Sequence, residues 1–326
     1  MYFYLIGIDY KRAPIDVRDG IYRERNAIVD FWKGLDSQGH AMLVTCNRLE
    51  IYGVTLYPDD AFGNIRRFAG RFPDFARYAY IKYDQAQVFR HSLRLASGLE
   101  SQLQGEKEIL KQLDGWGHTI SSHSIKNMWS GAISISKKIR SASGLEEDNG
   151  NLASLIFNDI RKRLGESKAY SIIVVGTGKV AEMIAKHRPP EAHIRFAAHK
   201  HYKRAEELAS RAGGSAIHLE ELSNAIAGAD VLICATSSPH YIINKSHLKA
   251  LTAGRDHPLC IYDLAVPRDV EPEIAALDGI FLQNLDDLGS IFSRYNESKR
   301  ERVELATELI EDVLKVGAEV FYDKYL

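Results

Sequence analysis

Apolar and polar positions run along this chain in two rhythms, and the change near residue 150 divides it. In the first half, Met1 to Ile8 is an apolar run without a basic start that soon reaches Asp9 and Lys11. That predicts a first strand, not a signal peptide. A charged helical stretch spans Ile21 to Leu35, entered through a turn at Arg12 to Arg18 where Pro14 breaks any continuation. Ala41 to Val54 reads as a second strand. Helical spacing returns over Asp60 to Phe72 and Gln85 to Leu113. In the latter, Val88, His91, Leu95 and Leu99 recur about once per turn, with Gly98 and Gly105 as interruptions. Another helix is predicted over His123 to Ser141. The polar run from Gly144 to Asn151 is the candidate boundary, which places domains at 1–146, 147–285 and 286–326.

The second half changes character. Ser171 to Val175 is a short, continuous apolar run, as expected of a parallel strand buried on both faces. Similar runs at Ile194–Ala198, Val231–Ala235, Leu259–Leu264 and Gly279–Gln283 alternate with helical stretches, which predicts a doubly wound sheet. From Asp286 the pattern reads as one helix to the end, about 40 residues and about 60 Å if straight. Leu288, Ile291, Tyr295, Val303, Ala306, Leu309, Val313, Val316 and Val320 give it an apolar stripe that needs cover. The charged stretch Ser293 to Arg302 is expected to cross open solvent between domains. The fold class is therefore multidomain α/β: an α+β N-terminal domain, a Rossmann-like doubly wound domain and a long C-terminal linker helix.

Composition narrows the functional classes. A formal net charge of −1 over 326 residues supplies no overall field to gather nucleic acid, so a polynucleotide would have to meet local patches. Lys137, Lys138 and Arg140 form one candidate, although cations at a helix end also suit the helix dipole. Arg161, Lys162 and Arg163 form another, or else a solvated helix face. No stretch approaches the ~20 apolar residues of a membrane span. Cys46, Cys234 and Cys260, without CxxC spacing, suggest neither a disulfide framework nor a metal site. A reducing, cytoplasmic setting is expected.

The candidate chemistry lies in two stretches. If Leu43 to Val54 is extended, Cys46, Arg48, Glu50 and Tyr52 share one face, with Thr45, Asn47 and Ile51 on the other. A neighbouring cation can lower a thiol's pKa and leave a thiolate able to attack a carbonyl. The same residues also suit an ordinary strand with a buried Cys and a solvated Arg–Glu pair. The second stretch is Gly176-Thr-Gly178-Lys-Val-Ala181, a GxGxxA turn between a strand and a helix. Its glycines let backbone N–H groups approach a pyrophosphate, and Ala181 permits close helix–strand packing. After the next strand, where NAD selection would need an acid, stands Ala198-His199-Lys200-His201. Basic groups there favour the 2′-phosphate of NADPH, or simply form a solvent-facing loop.

With these residues in view, the chain resembles the glutamyl-tRNA reductases, NADPH-dependent enzymes that begin tetrapyrrole synthesis. The resemblance rests on Thr45-Cys-Asn-Arg48 with Glu50 and Tyr52. It rests also on His91-Ser-Leu-Arg-Leu-Ala-Ser-Gly98-Leu-Glu-Ser101 with Gly105-Glu106 and Ile109-Leu110, on Lys137-x-x-Arg140, and on Asp263-Leu-Ala-Val-Pro267-Arg268-Asp269. It covers nearly the whole chain. It implies that Cys46 attacks the activated acyl group of tRNA(Glu) charged with glutamate. The thioester is then reduced to glutamate-1-semialdehyde and passed to glutamate-1-semialdehyde aminomutase. His91 would orient substrate or shuttle a proton. Thr45, Asn47, Arg48, Ser101, Glu106 and Gln112 would bind substrate, Arg48 by gripping a carboxylate. Gly176, Thr177, Gly178, Lys179, Val180, Ala181, His199, Lys200 and Thr236 would bind cofactor. Two departures stand out: Tyr10 occupies a place where the family has His, and the family's helical dimerisation domain is expected to be absent. A monomer or a helix-mediated homodimer would follow. Other readings left open are a reductase of another aminoacyl-tRNA or carrier thioester, and a non-catalytic relative that binds tRNA or haem.

Overall fold

The computed structural model describes residues 1–35, 39–147, 151–165, 169–246, 248 and 257–316. The chain forms two units, Met1–Asn149 together with Ser290–Leu326, and Gly150–Gly289.

The first unit is built on an antiparallel sheet of β1 (Tyr2–Asp9), β2 (His40–Thr45), β3 (Arg48–Thr55) and β4 (Tyr80–Tyr83), in the order β2-β3-β1-β4. Alternation along β1 sends Phe3 and Leu5 to one face and Tyr4 to the other. Phe3 and Leu5 join the main core with Leu93 of α5 (Gln85–Ala96) and Trp129 and Ile139 of α7 (His123–Ala142). Tyr4 meets Trp32 of α2 (Arg25–Lys33), which stacks on Phe68 of α3 (Pro58–Arg71). With helices on both faces, every residue of β3 is buried.

Three predicted elements divide. The charged helical stretch is two helices, α1 (Ile15–Arg23) and α2, joined at Glu24. The helix read over Gln85–Leu113 is α5 and α6 (Glu108–Gly117). Between them the backbone turns at Gly98 (φ +82°) and Gly105 (φ +75°), a region closed to most side chains. The strand read over Ala41–Val54 is a hairpin in which Thr45 pairs with Arg48 and Cys46-Asn47 makes the turn.

The C-terminal helix also divides, into Gly289–Glu297 and Arg300–Val316, with turn residues at Ser298 and Lys299. The charged stretch there does not cross open solvent: Phe292 and Lys299 are buried, and Asn296 is bonded to residues 102 and 104. Ala306, Leu309, Ile310 and Val313 complete the core of the first unit. That part of the stripe is covered by its own chain, which removes the reason for expecting a second copy to cover it. Val320 lies outside the described residues.

The second unit holds a six-stranded parallel sheet in the order β10-β9-β8-β5-β6-β7. Its strands are β5 (Tyr170–Val175), β6 (Ala192–Ala198), β7 (Ser215–His218), β8 (Val231–Cys234), β9 (Leu259–Asp263) and β10 (Ile280–Asn284). The order reverses between β5 and β8, which creates the crevice where doubly wound sheets take ligands. β7 was not legible in the pattern, being four residues with no buried member.

Candidate active site

Cys46 stands at the tip of the β2–β3 hairpin, and the backbone beneath it is held at four successive carbonyls. The Tyr22 hydroxyl is shared between the carbonyls of Thr45 and Arg48, the latter at 2.7 Å. Arg18 Nη1 donates to the Cys46 carbonyl at 3.0 Å, and the Tyr10 N–H donates to the Asn47 carbonyl at 2.9 Å. Within the turn, Thr45 Oγ1 accepts the Asn47 N–H at 3.2 Å, a hydroxyl-closed turn that needs no glycine. Arg18 and Tyr22 were missed in the sequence. Their signal is a spacing of four on α1, which puts both on one face; both are buried.

Cys46 is the exposed cysteine of the three; Cys234 and Cys260 are buried. Atoms packed about its sulfur nonetheless push the thiol up to about 11, helped by the Glu106 carboxylate and opposed by Arg18 and Arg48. The expectation of a cation-lowered thiol is therefore corrected: the resting thiol keeps its proton.

Arg48 does not present an open guanidinium either. It is 1% exposed. Nη1 donates to Glu50 Oε1 at 2.7 Å, and Nη2 donates to the Glu100 carbonyl. Glu50, wholly buried, also accepts from the Tyr52 and Tyr80 hydroxyls, and its Oε1 lies 3.0 Å from His91 Nε2. Burial alone would raise this carboxyl, but His91 and Arg48 hold it well below the usual range. Arg48, Glu50 and Tyr52 do share a face, as alternation predicts, but that face looks into the protein. As placed, Arg48 turns Nη1 and Nη2 inward and presents almost no surface to a substrate carboxylate. Its visible work is to tie β3 to the segment after α5.

That segment, residues 97–107, carries Ser101 and Glu106. Ser101 is buried, and its carbonyl accepts the Tyr10 hydroxyl at 3.2 Å. Its side chain hydrogen-bonds Glu106, whose half-buried carboxyl is raised by burial against that bond. Buried Arg140 donates to the carbonyls of Ser97 (2.8 Å), Gly105 (2.8 Å) and Glu106 (3.1 Å). It serves as a brace, not as a surface cation for a polynucleotide. From the other side, Asn296 Oδ1 accepts the Gln104 N–H and Asn296 Nδ2 donates to the Gln102 carbonyl, both at 2.9 Å. The structure thus gathers Thr45, Cys46, Asn47, Ser101 and Glu106 around Tyr10. His91 belongs to the Glu50 network. Gln112 sits half-buried on α6 and makes no side-chain hydrogen bond with the described residues. The Asn47 side-chain oxygen is buried and has no partner among them.

In the second unit, a cavity of about 950 Å³ opens beyond the ends of β5, β6 and β8. Gly176, Thr177, Gly178, His199, Lys200 and Thr236 line it. Gly176 has φ +111°, and a Cβ there would lie 2.6 Å from the Ala235 carbonyl oxygen. Gly178 opens α9 (Lys179–Lys186) without a side-chain cap, so the first N–H groups of that helix are left for an anion. Lys179, Val180 and Ala181 do not line the cavity; Ala181 is buried, as helix–sheet packing requires. His201 and Arg204 line it as well. Arg204, in the first turn of the helix Tyr202–Ala212, was missed. Thr236 is held by Asp269, which accepts its N–H at 2.8 Å and its hydroxyl at 2.5 Å. Asp263 in turn accepts the N–H groups of Ala265, Asp269 and Val270. The open helix start at the mouth of the cavity fits a dinucleotide.

Fold and site together define a class: a nucleotide-binding dehydrogenase unit carried by the same chain as an α/β unit with a displayed thiol. Residues 159–291 match the shikimate / quinate 5-dehydrogenase family, and residues 6–143 match the N-terminal domain of glutamyl-tRNAGlu reductase. The glutamyl-tRNA reductase of Heliobacterium mobile is 30% identical over 95% of this chain and 73% of its own. That of Carboxydothermus hydrogenoformans is 29% identical over 98% and 74%. The solved structure of the glutamyl-tRNA reductase from Methanopyrus kandleri is 27% identical, covering 98% of this chain and 80% of that one, with a TM-score of 0.48. The chain belongs to the glutamyl-tRNA reductase family.

Proposed function

We propose that this chain reduces glutamyl-tRNA(Glu) to glutamate-1-semialdehyde through a thioester on Cys46. The observation that carries the reading is the displayed Cys46 thiol on a hairpin whose four carbonyls are fixed from below. A nucleophile on a fixed backbone meets its target with little orientational cost. The Cys46 sulfur bonds to the glutamyl carbonyl carbon, the ester C–O bond breaks, and the thiol's proton leaves with the ribose hydroxyl of the tRNA. Because the resting thiol is protonated, sulfur attack and proton loss belong to the same step. Asn47, with hydrogen-bonding capacity unspent, takes a polar group of the substrate, and Ser101 and Glu106 line the same place.

NADPH is the cofactor in this reading, held at Gly176–Gly178 and Thr236 with His199, Lys200, His201 and Arg204 toward its 2′-phosphate; when bound it supplies the reducing equivalent for the thioester. The aldehyde product is reactive, which favours direct passage to glutamate-1-semialdehyde aminomutase in the cytoplasm.

The test is a single turnover with radiolabelled glutamyl-tRNA, comparing wild type with Cys46→Ser. Wild type should form labelled semialdehyde with NADPH and retain label on the protein without it; Cys46→Ser should do neither. Unconsumed glutamyl-tRNA would end the assignment. Lys200→Ala with Arg204→Ala should weaken NADPH while leaving NADH nearly unchanged, and equal losses would refute the 2′-phosphate role.

A further inference from the structure

The reaction just described leaves unused a cavity of about 500 Å³ in the first unit, lined from the end of β1, from β4 and from α5. Its walls carry Lys11, Arg12, Lys82, Arg90 and Arg94, against the carboxylates of Asp9 and Glu100. His91 and Tyr80, both buried, also line it. Some of this charge is already matched. Glu100 accepts from Lys11 Nζ and Arg94 Nε, each at 2.6 Å, and these cations hold its carboxyl near 2 although burial would raise it. Arg90 is forked onto Glu311 at 2.9 and 3.0 Å. Among the described residues, two of these cations remain without a carboxylate. Arg12 donates to the Ala79 carbonyl at 3.2 Å and lies over the Tyr80 ring at 5.4 Å. The Lys82 ammonium makes no hydrogen bond or ion pair with any described residue.

Unmatched cations in a concave wall concentrate anions, because field lines focus there and the ligand displaces little water from each charge. The volume falls in the range of a nucleotide-sized site, not that of a single ion. A planar guanidinium beside a compact ammonium is the pairing that suits phosphate oxygens. The arginines of the other two basic clusters are engaged elsewhere: Arg140 is buried on carbonyls, Arg161 is paired with Glu191 at 2.7 Å, and Arg163 is paired with Asp159 at 2.7 Å and lies over the Phe281 ring.

We propose that this cavity is a phosphate site that receives a phosphodiester of the RNA part of the substrate, with Arg12 and Lys82 as its contacts. This rests on the reading of the substrate as glutamyl-tRNA. The same chemistry would accept a free phosphorylated small molecule, so the test separates the two sources.

Uncharged tRNA(Glu) is bound to the full chain over a series of salt concentrations, for wild type, for Arg12→Gln with Lys82→Gln, and for Lys82→Arg. Inorganic pyrophosphate is titrated in parallel. NADPH binding and the unfolding midpoint serve as controls for folding. The double variant should bind tRNA roughly tenfold more weakly, with its log–log salt slope lowered by about 1 to 2, since each phosphate no longer neutralised lowers it by one unit or less. Lys82→Arg should stay near wild type. Unchanged tRNA affinity and slope in the double variant would overturn the proposal. If the double variant loses pyrophosphate but keeps tRNA, the cavity serves a free phosphate compound and the RNA assignment falls. If wild type binds no tRNA, the substrate reading fails by itself. Pyrophosphate binding that the double variant lacks would then keep an anion site without RNA, and no difference would remove the site altogether.

Discussion

Replacing Glu50 with Gln should be the most damaging conservative change in the first unit, and its size follows from the contacts. Glu50 is wholly buried and receives four groups: Arg48, Tyr52, Tyr80 and His91. Gln keeps the shape but removes the charge that balances Arg48, itself 1% exposed. Even with its NH₂ in the Oε2 position, it would face the Tyr52 hydroxyl, which now finds an acceptor. Removing one partner of a buried pair costs about 3–5 kcal/mol, because the other charge is left unpaired. A domain's whole stability is about 5–15 kcal/mol. All three tryptophans, Trp32, Trp116 and Trp129, lie in the first unit, so urea unfolding followed by tryptophan fluorescence reports it separately. With a slope of about 2 kcal/mol per molar urea, the midpoint should fall by about 2 M. The sign of the pH dependence is fixed as well. The folded carboxyl is held below its unfolded value, so its contribution is present above the unfolded pKa of about 4.3 and is lost as pH falls below it. The gap between wild type and Glu50→Gln should therefore be widest near pH 7 and narrow progressively as pH falls below about 4. A loss under about 1 kcal/mol at pH 7, or a gap that does not narrow in acid, would refute the reasoning.

Four further outcomes test other parts of the account. Tyr22→Phe deletes the hydroxyl shared by the Thr45 and Arg48 carbonyls and should cost about 1–3 kcal/mol; it should also speed Cys46 alkylation, and an unchanged rate would mean the tip is fixed without it. The iodoacetamide rate at Cys46 should keep climbing above pH 9, since the thiol is pushed toward 11, and a plateau by pH 8.5 would contradict that. Gly176→Ala should abolish NADPH fluorescence enhancement, because the left-handed backbone and the Ala235 oxygen both oppose a Cβ; wild-type affinity would refute the cradle. Burial, and the nearby Asp269, raise Asp263 to about 7, so its folded form keeps a proton that the unfolded chain releases near 3.8. Stability of the second unit should thus fall as pH rises from about 4 to 7, and Asp263→Asn should reduce that slope without abolishing it, because Asp269 is raised as well, to about 6; parallel hydrogen-exchange profiles would count against it.

What could be read in the sequence depended on whether the deciding interaction was local. The Ser171–Val175 run and Gly176-x-Gly178 were legible because strand burial, a left-handed turn and an uncapped helix start are all specified within about ten residues. The hairpin was not. Thr45-Cys-Asn-Arg48 contains none of the glycine pairs that announce a two-residue loop, and alternation continues through it as if the strand did. The chain turns there because Thr45 closes the turn from within, while Tyr10, Arg18 and Tyr22, 23 or more residues away, fix its carbonyls. Periodicity placed Arg48, Glu50 and Tyr52 together, but it cannot tell an outward face from an inward one. That choice was made by His91 and Tyr80, which bring the polar partners that let a charged pair be buried. The Cys46 thiol moved up and not down because burial and the Glu106 carboxylate outweigh Arg18 and Arg48, which still act to lower it.

The break in the C-terminal helix gives that segment a role in the site. At Ser298 and Lys299 the helix yields, and the neighbouring side chains act on the segment after α5. Asn296 takes the Gln104 N–H and the Gln102 carbonyl, and Lys299 donates to the Gln104 carbonyl at 3.2 Å. Burial, with Arg140 nearby, lowers Lys299 to about 8, a cost that its place beside the segment must offset. Residues 97–107 have no regular structure and two left-handed glycines, so their shape has to be imposed from outside. Arg140 imposes it from α7, Arg48 and Tyr10 from the sheet, and Asn296 and Lys299 from the C-terminal helices. Ser101 and Glu106 are therefore positioned by chain about 190 residues later, which makes the C-terminal segment part of the wall of the site and not a tether.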